Sequence, residues 1–270
     1  MSYLNRNNIT NRVGGTGVGS KAGQGIYAES STAKFALGEK LEFADGRVFR
    51  YGYTAAAVNA AELVSQDVSA TTVPEADNIV IAAANGFSPS AGSLKFQTTL
   101  AGKTADQFAG GLVHIANDGG DGIGEGIQYR IKSNSATGAT TSGKVDWYLY
   151  DPIKVTLTTA SDVAVTGGLW NQLKATAINP SSYSTADDYI VSGVTPIAFT
   201  ANYYGWFQTA GIALISSDGA IQYGSSVTVS DSDAGHVQLK DAETEPLVGF
   251  TVFSSDDDAH VGVVLQGLVP

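Results

Sequence analysis

Short runs rich in β-forming apolar residues alternate with polar turn residues along most of the chain after residue 35. Six such runs lie between residues 78 and 159 (NIVIAAA, SLKFQTTL, GGLVHIA, GIQYRIK, KVDWYLYD, IKVTLTT), and seven follow residue 187 (DYIVSG, WFQTAGIALIS, AIQY, SVTVS, HVQL, PLVGFTVF, AHVGVVLQ). Strands that recur at a spacing of ~8 to 12 residues are typical of sandwiches and barrels. The pattern predicts a mainly β protein made of sandwich-like or barrel-like units.

A hairpin and a helix are predicted at the start of this region. KLEFADGRVFRYGY, residues 40–53, has two alternating runs on either side of Asp45-Gly46, a pair typical of tight hairpin turns. TAAAVNAAELVSQ, residues 54–66, opens with a possible threonine cap and contains many good helix formers. We expect one or two short helices at most.

Changes in composition divide the chain into three parts. Residues 1–34 are rich in Gly, Asn and Ser and have no apolar period, so they predict an arm that is disordered alone or extended along a partner. A boundary is expected in 175–205, where Pro180 and Pro196 flank a polar run. The predicted divisions are an N-terminal arm at 1–34, a main β-rich domain at 35–200 and a small barrel-like domain at 201–270.

The charge distribution limits the classes of partner. The net charge is −11, and residues 175–270 contribute one basic residue, Lys240, against 11 acidic ones. This balance argues against binding to nucleic acid, which needs a basic face. The first 34 residues are instead slightly basic, with four cations against Glu29, which is typical of a docking arm.

Cysteine and membrane signals are both missing from the sequence. With no cysteine there is no disulfide framework, thiol nucleophile or cysteine metal site. No apolar run approaches the ~18 residues that cross a bilayer, and the start MSYLNRNNITNR lacks the apolar core of a signal peptide. We therefore expect a protein that is made soluble inside the cell and has no membrane partner.

The loop NDGGDGIGEGIQYRI, residues 117–131, is the most suggestive site for an ion. It carries Asp118, Asp121 and Glu125 among five glycines, but their spacing is not that of a calcium-binding EF-hand. Glycines at successive positions suit a tight or bulged connection between strands. A structural loop is the favoured interpretation, and a cation site remains the alternative.

Other candidate sites carry little chemical signal. GGTGVGSKAGQG, residues 14–25, has Gly-Ser-Lys where a phosphate loop needs Gly-Lys-Ser or Gly-Lys-Thr, and a flexible arm explains it better. The three histidines, His114, His236 and His260, lie in apparent strands without the spacing of a helical zinc site. The acidic pair at 187–188 and the acidic run at 256–258 are expected to be solvated loop tips, and a weak calcium site is the alternative for the run. We predict no catalytic residues, no metal and no cofactor.

Two aromatic runs are the remaining signal. WYLY at 147–150 and NYYGWF at 202–207 concentrate large rings that suit protein interfaces. A core between the two predicted domains is an equally good interpretation.

Several segments, taken in order, carry a resemblance to a known family. They are LGEKLEFADGRVFRYGYTAAA, NDGGDGIGEGIQYRIKSNSA, VDWYLYDPIKVTL, GWFQTAGIALISSDGAIQYGSSVTVSDSDAGHV and EPLVGFTVF. Together they resemble virion structural proteins of tailed bacteriophages, and the C-terminal segment is similar to small β-barrel capsid decoration domains.

The resemblance implies a non-enzymatic capsid decoration, or cement, protein on the virion surface. Its implied partners are the major capsid protein and further copies of itself, as a homotrimer. Contacts with the capsid or between subunits are then expected from the arm and the aromatic runs, at Arg6, Arg12, Lys21, Tyr27, Tyr203, Tyr204 and Trp206. The alternatives are a tail or neck protein, a glycan- or receptor-binding module, and an enzyme such as a polysaccharide depolymerase.

Overall fold

The computed structural model describes residues 20–21, 23–66, 75–81, 89–116, 123–139, 142–176, 190–243, 245–257, 259–266 and 268. Within these ranges the chain forms strands, turns and no helix, which confirms the prediction of a mainly β protein. No described helix is therefore long and apolar enough to cross a membrane.

The chain divides into two compact units, which are defined here by their residues. The terminal unit comprises residues 1–67 and 172–270, and the inserted unit comprises residues 68–171. The terminal unit contains β1 (Ser20–Lys21), β2 (Gln24–Gly25), β3 (Lys40–Glu42), β4 (Val48–Tyr53), β5 (Leu63–Gln66), β12 (Leu173–Ala175), β13 (Val191–Val194), β14 (Tyr204–Ser216), β15 (Ser226–Val229), β16 (Val237–Leu239), β17 (Gly249–Thr251) and β18 (His260–Leu265). The inserted unit contains β6 (Glu75–Val80), β7 (Lys95–Thr99), β8 (Leu112–Ala116), β9 (Gln128–Asn134), β10 (Lys144–Leu149) and β11 (Asp162–Thr166).

The inserted unit is a six-stranded antiparallel sheet in the order β6-β11-β8-β9-β10-β7. Its two edge strands meet in a bridge between Ile81 and Thr98, which closes the sheet on itself. Trp147 fills the interior with no exposed surface and donates its indole N–H to the Thr98 hydroxyl at 2.8 Å. Because WYLY alternates, Trp147 and Leu149 are buried, whereas Tyr148 and Tyr150 are 37% and 44% exposed.

The terminal unit is built around β14, which runs for 13 residues. Its first half pairs with β4, and its second half pairs with β18. The register shifts between Gln208 and Ala210, and Gly211 follows at φ 81°, where an added Cβ would lie 2.9 Å from the Arg47 Cα. This close approach requires glycine at the point where the strand changes partners.

The second half of β14 continues through β18, β17, β15 and β16. A parallel bridge from Ser217 to Val237 returns this group to the end of β14. The small C-terminal barrel expected at 201–270 corresponds to these strands, but its core also contains Leu63 and Val194, from β5 and β13. The predicted division at residue 200 therefore does not coincide with the compact units.

The boundary differs because alternation identifies a strand without identifying its partner. The chain leaves the terminal unit after β5 and returns at β12, and these two strands pair with each other. β13 then pairs with both β5 and β14, so residues before 67 and after 190 share one sheet. Domain predictions that follow the order of the sequence miss an insertion of this kind.

The hairpin at 40–53 forms as predicted, with β3 and β4 on either side of a turn at Asp45-Gly46. The helix predicted at 54–66 is wrong. The Ala55 amide bonds to the Leu173 carbonyl, Val58 pairs with Phe199, and Ala61 has a φ of 60°. Bonds to distant strands satisfy this backbone, so tertiary pairing overrides the helical propensity of the alanines.

Candidate interaction surface

Residues 23–34, here called the docking segment, lie against β4 and β14 in the terminal unit. Gln24 and Ile26 are buried. The Gln24 amide nitrogen donates to the carbonyls of Ala28 at 2.7 Å and Tyr204 at 2.9 Å. The Gln24 backbone carbonyl accepts the indole N–H of Trp206 at 3.2 Å. Through Gln24 and Ile26, the docking segment thus contributes to the core of the terminal unit.

The outer part of the docking segment is also held by polar contacts. Both carboxylate oxygens of Glu29 bind Thr200, accepting its backbone amide at 2.7 Å and its hydroxyl at 2.8 Å. Ser30 pairs with Tyr204 through backbone hydrogen bonds in both directions. Residues 23–34, which the sequence assigned to the predicted arm at 1–34, therefore make regular contacts with the rest of the terminal unit.

Tyr51 connects the docking segment to the aromatic core. Its hydroxyl donates to the Gln24 side-chain oxygen at 2.7 Å and accepts the Lys34 amide at 3.0 Å. Its ring packs edge-on against Trp206 and Phe35, with centroids 5.1 and 5.2 Å away. Burial raises the pKa of the Tyr51 phenol, and the Lys34 amide partly opposes that rise. The phenol therefore remains a hydrogen-bond donor at neutral pH.

The residues predicted to make capsid or subunit contacts are placed very differently. Trp206 is fully buried, so its side chain has no surface to offer a partner. Tyr204 is half-buried and packs on Tyr53 with a centroid distance of 4.7 Å, and Tyr203 is half-exposed. Tyr27 is 61% exposed and is the most accessible of the four aromatics.

Two of the four basic residues of the predicted arm lie outside the described part of the chain. Arg6 and Arg12 are outside the described residues. Lys21 lies in β1, where its backbone pairs with Gln24.

A shallow cleft of 490 Å³ lies beside the docking segment. Gln24, Glu29 and Lys34 contribute to its lining. The Lys34 ammonium donates to the Thr32 hydroxyl at 2.9 Å, and Glu29 is held by Thr200. The polar groups of the cleft thus stabilise the docking segment itself.

The candidate ion loop is described only from residue 123. Asp118 and Asp121 lie outside the described residues, and Glu125 is exposed. Gly124 and Gly126 each adopt a φ of 78°, and the Ile127 amide bonds to the Gly124 carbonyl. The described end is a glycine-dependent turn leading into β9. Across the described ranges, no group of three or more His, Asp or Glu side chains is placed to hold a metal.

The three histidines occupy separate places. His114 in β8 bonds through its ring nitrogen to the Thr166 hydroxyl at 3.1 Å, inside the inserted unit. His236 is half-buried beside β16, and His260 is exposed at the start of β18. Of the acidic candidates, 187–188 lie outside the described residues, whereas Asp256 and Asp257 are exposed at a loop tip.

The loop tip at Asp256 and Asp257 belongs to a larger acidic surface. Asp257 accepts the Gly219 amide at 2.9 Å, and the neighbouring Asp218 accepts the hydroxyls of Ser230 and Ser232, both at 2.5 Å. The hydrogen bond from Ser230, followed by that from Ser232, lowers the pKa of the Asp218 carboxyl. Three loops that are distant in sequence are therefore joined at one end of the C-terminal strand group.

Gln24 and Glu29 were missed by the sequence predictions. Their surroundings, AGQGIYAESST, contain few apolar residues and no period, so burial could not be inferred. A polar side chain whose partners are backbone carbonyls leaves no pattern in the sequence. No protein-family model, curated protein or solved structure matches the chain.

Proposed function

We propose that this protein is a non-enzymatic structural protein of a tailed-phage virion, which decorates the capsid surface and stabilises it. Its partners are the major capsid protein and further copies of itself, in a homotrimer. The proposal starts from the resemblance of the ordered segments quoted above to virion structural proteins.

The observation that carries the proposal is the anchoring of the docking segment. Gln24, Ile26 and Glu29 fix residues 23–34 to the body, and the basic residues Arg6, Arg12 and Lys21 precede this anchored segment in the sequence. A tethered basic segment adds many weak contacts at high effective concentration, and symmetry multiplies them across a shell. This combination suits a protein that binds a repeating lattice.

The segments that carry the resemblance form structural elements. LEFADGRVFRY forms the β3–β4 hairpin, and GWFQTAGIALIS forms most of β14, the strand that organises the terminal unit. VDWYLYD contains most of β10, whose Trp147 fills the inserted unit. The likeness therefore concerns the framework and implies no reactive group.

A glycan-binding role gains less support from the exposed aromatics. All three tryptophans, at 147, 170 and 206, are buried with at most 7% exposure. Stacking a sugar needs an accessible ring, so only tyrosines and phenylalanines remain for that purpose. A glycan array on which the protein binds no sugar would remove this alternative.

The test is binding of the recombinant protein to capsids that lack it, followed by cosedimentation. Removal of residues 2–19 is expected to leave a folded body, since the docking segment is retained, and to weaken binding at least ~10-fold. Removal of residues 2–30 is a poorer test, because it deletes Gln24 and Glu29 and exposes Trp206 and Tyr51.

Two double charge-reversal variants distinguish binding through the arm from a general effect of the protein's net charge. Arg6→Glu with Arg12→Glu should weaken binding, and added salt should weaken binding of the unmodified protein, because exposed charges are screened. Lys40→Glu with Lys240→Glu makes the same change in net charge within the body and should leave binding unchanged. Full binding by the truncated protein would remove the arm from the proposal.

A further inference from the structure

The inserted unit carries a basic, aromatic surface on strands β7, β9 and β10. We call it the basic face; it consists of Lys95, Arg130, Lys132, Tyr148 and Tyr150. Tyr148 is the register partner of Lys95 on one side and of Ser133 on the other. The Arg130 guanidinium carbon lies 4.9 Å from the centroid of the Tyr150 ring.

An irregularity in the pairing of β9 with β10 adds Lys132 to this face. The register between β9 and β10 shifts between Tyr148 and Leu149, which leaves Lys132 as an additional residue in β9. Lys95 and Lys132 are exposed, and both tyrosines are more than one third exposed. The face thus combines accessible ammonium groups with rings that bury much area at low entropic cost.

Such a surface is unusual in a chain of net charge −11. It gathers three of the six basic residues of the inserted unit. Among the described residues of β7, β9 and β10 and the pair Tyr150-Asp151, the carboxylates are Asp146, which is fully buried and accepts the Gln97 amide at 2.6 Å, and Asp151, which is exposed. The formal charge counted over these residues is positive, and arginine and tyrosine are typical anchor residues of protein interfaces.

The terminal unit carries the complementary surface. Its acidic end, defined by Asp218, Asp231, Asp233, Asp256 and Asp257, is built from the three loops joined through Asp218 and Asp257. Four of these residues are exposed, all except the half-exposed Asp218. Because hydrogen bonds hold the loops together, the negative charge is presented on a fixed surface.

We propose that the acidic end of one copy of this chain binds the basic face of a second copy. Charge complementarity within a single sequence favours a second copy as the occupant, since each molecule supplies both surfaces. The two surfaces differ, so the contact is head-to-tail and forms a ring where the rotation closes. The homotrimer named above requires such a contact, and the inference rests on the proposed function in this respect.

The experiment uses the full-length protein in solution, without capsids, so its failure is distinguishable from failure to bind a shell. Sedimentation velocity at about 50 mM and about 500 mM salt compares species with the 27.9 kDa monomer. We expect an oligomer at low salt that dissociates at high salt, because exposed charge pairs are screened.

Two charge-reversed variants test the surfaces themselves. Lys95→Glu with Lys132→Glu reverses the basic face, and Asp231→Lys with Asp233→Lys reverses the acidic end. Each variant alone should associate about 100-fold more weakly, since like charges then oppose each other. Mixing the two variants should restore association, because each then offers the surface that the other lacks. Lys34→Glu with Lys40→Glu is the matched control and should associate like the unmodified protein.

The mixing step protects the test against misfolding, since misfolded variants do not recover on mixing. The proposal is supported by loss of association in each variant and its recovery in the mixture. It is overturned by an unmodified protein that stays monomeric at low salt, which would leave the basic face to an acidic partner of another kind. Unchanged association in either variant, or no recovery on mixing of folded variants, overturns it equally.

Discussion

At the scale of single residues, the contact between Tyr51 and Gln24 links the docking segment to the body. Tyr51→Phe keeps the ring and removes both hydroxyl contacts, to the Gln24 oxygen and the Lys34 amide. A buried acceptor left without its donor costs about 1–3 kcal/mol. We expect the melting temperature to fall by about 2–6 °C and proteolysis within residues 23–34 to become faster.

Tyr53→Phe is the matched control for this change. The Tyr53 hydroxyl donates to the Asn202 side chain in an exposed position, so its loss should cost less than about 0.5 kcal/mol. Calorimetry on the three proteins measures the difference. Equal losses in the two variants would mean that the docking segment does not depend on Tyr51.

Asp218 is the second residue whose chemistry predicts a measurable effect. Its pKa is lowered by the Ser230 and Ser232 hydroxyls, so the folded state favours the carboxylate. That stabilisation is fully present above the unfolded pKa, near 3.8, and is lost as pH falls through the lower folded value. Asp218→Asn should cost about 1 kcal/mol at pH 7, a modest value for a partly exposed group.

The pH dependence separates this effect from a simple packing change. The difference in unfolding free energy between Asp218→Asn and the unmodified protein should shrink as the pH falls below 4, measured by urea unfolding. Asp231→Asn alters an exposed side chain in the same loops and should change stability by less than ~0.5 kcal/mol at pH 7. A cost for Asp218→Asn that is the same at pH 7 and at pH 3 would contradict the account.

At the scale of elements, β14 depends on a glycine that alternation does not reveal. A Cβ added at Gly205 would lie 2.2 Å from the Phe199 ring, which stacks on Phe207 at a centroid distance of 4.8 Å. Gly205→Ala should therefore destabilise the protein by about 1–3 kcal/mol, as overpacking does. Gly46→Asn is the control, since its turn leaves space for a side chain and asparagine tolerates a positive φ. The free energy of unfolding of each variant is measured in urea. Equal values for both variants and the unmodified protein would contradict the close packing at Gly205.

The strands were the elements that sequence predicted well. A period of two identified the β3–β4 hairpin, because burying one face of a strand leaves such a period. β14 was identified as a long β-rich run, and the first half of this strand is buried on both faces. The alanine-rich segment at 54–66 failed because its amides bond to Leu173 and Phe199, which are distant in sequence. The burial of Trp206 was not predicted for a related reason: an aromatic run does not show which rings a neighbouring segment covers.

At the scale of the whole molecule, the sequence predicted more than one unit but not which residues belong to each unit. The inserted unit interrupts the terminal unit, and only the pairing of β5 with β12 reveals this. The acidic end shows the same limit, since Asp218, Ser230 and Asp257 meet only through the fold. The net charge of a segment, by contrast, does not depend on the fold, so the excess of acidic residues after residue 175 could be counted from the sequence alone.

The most direct test of the proposed virion role is the number of copies of this protein per particle. Under the proposed function, quantitative mass spectrometry of intact, density-purified virions compares that number with the copy number of the major capsid protein. A decoration protein should be present in a number comparable to that of the shell subunits. Absence from the particles, or a handful of copies as expected of a tail or neck protein, would contradict the proposed role.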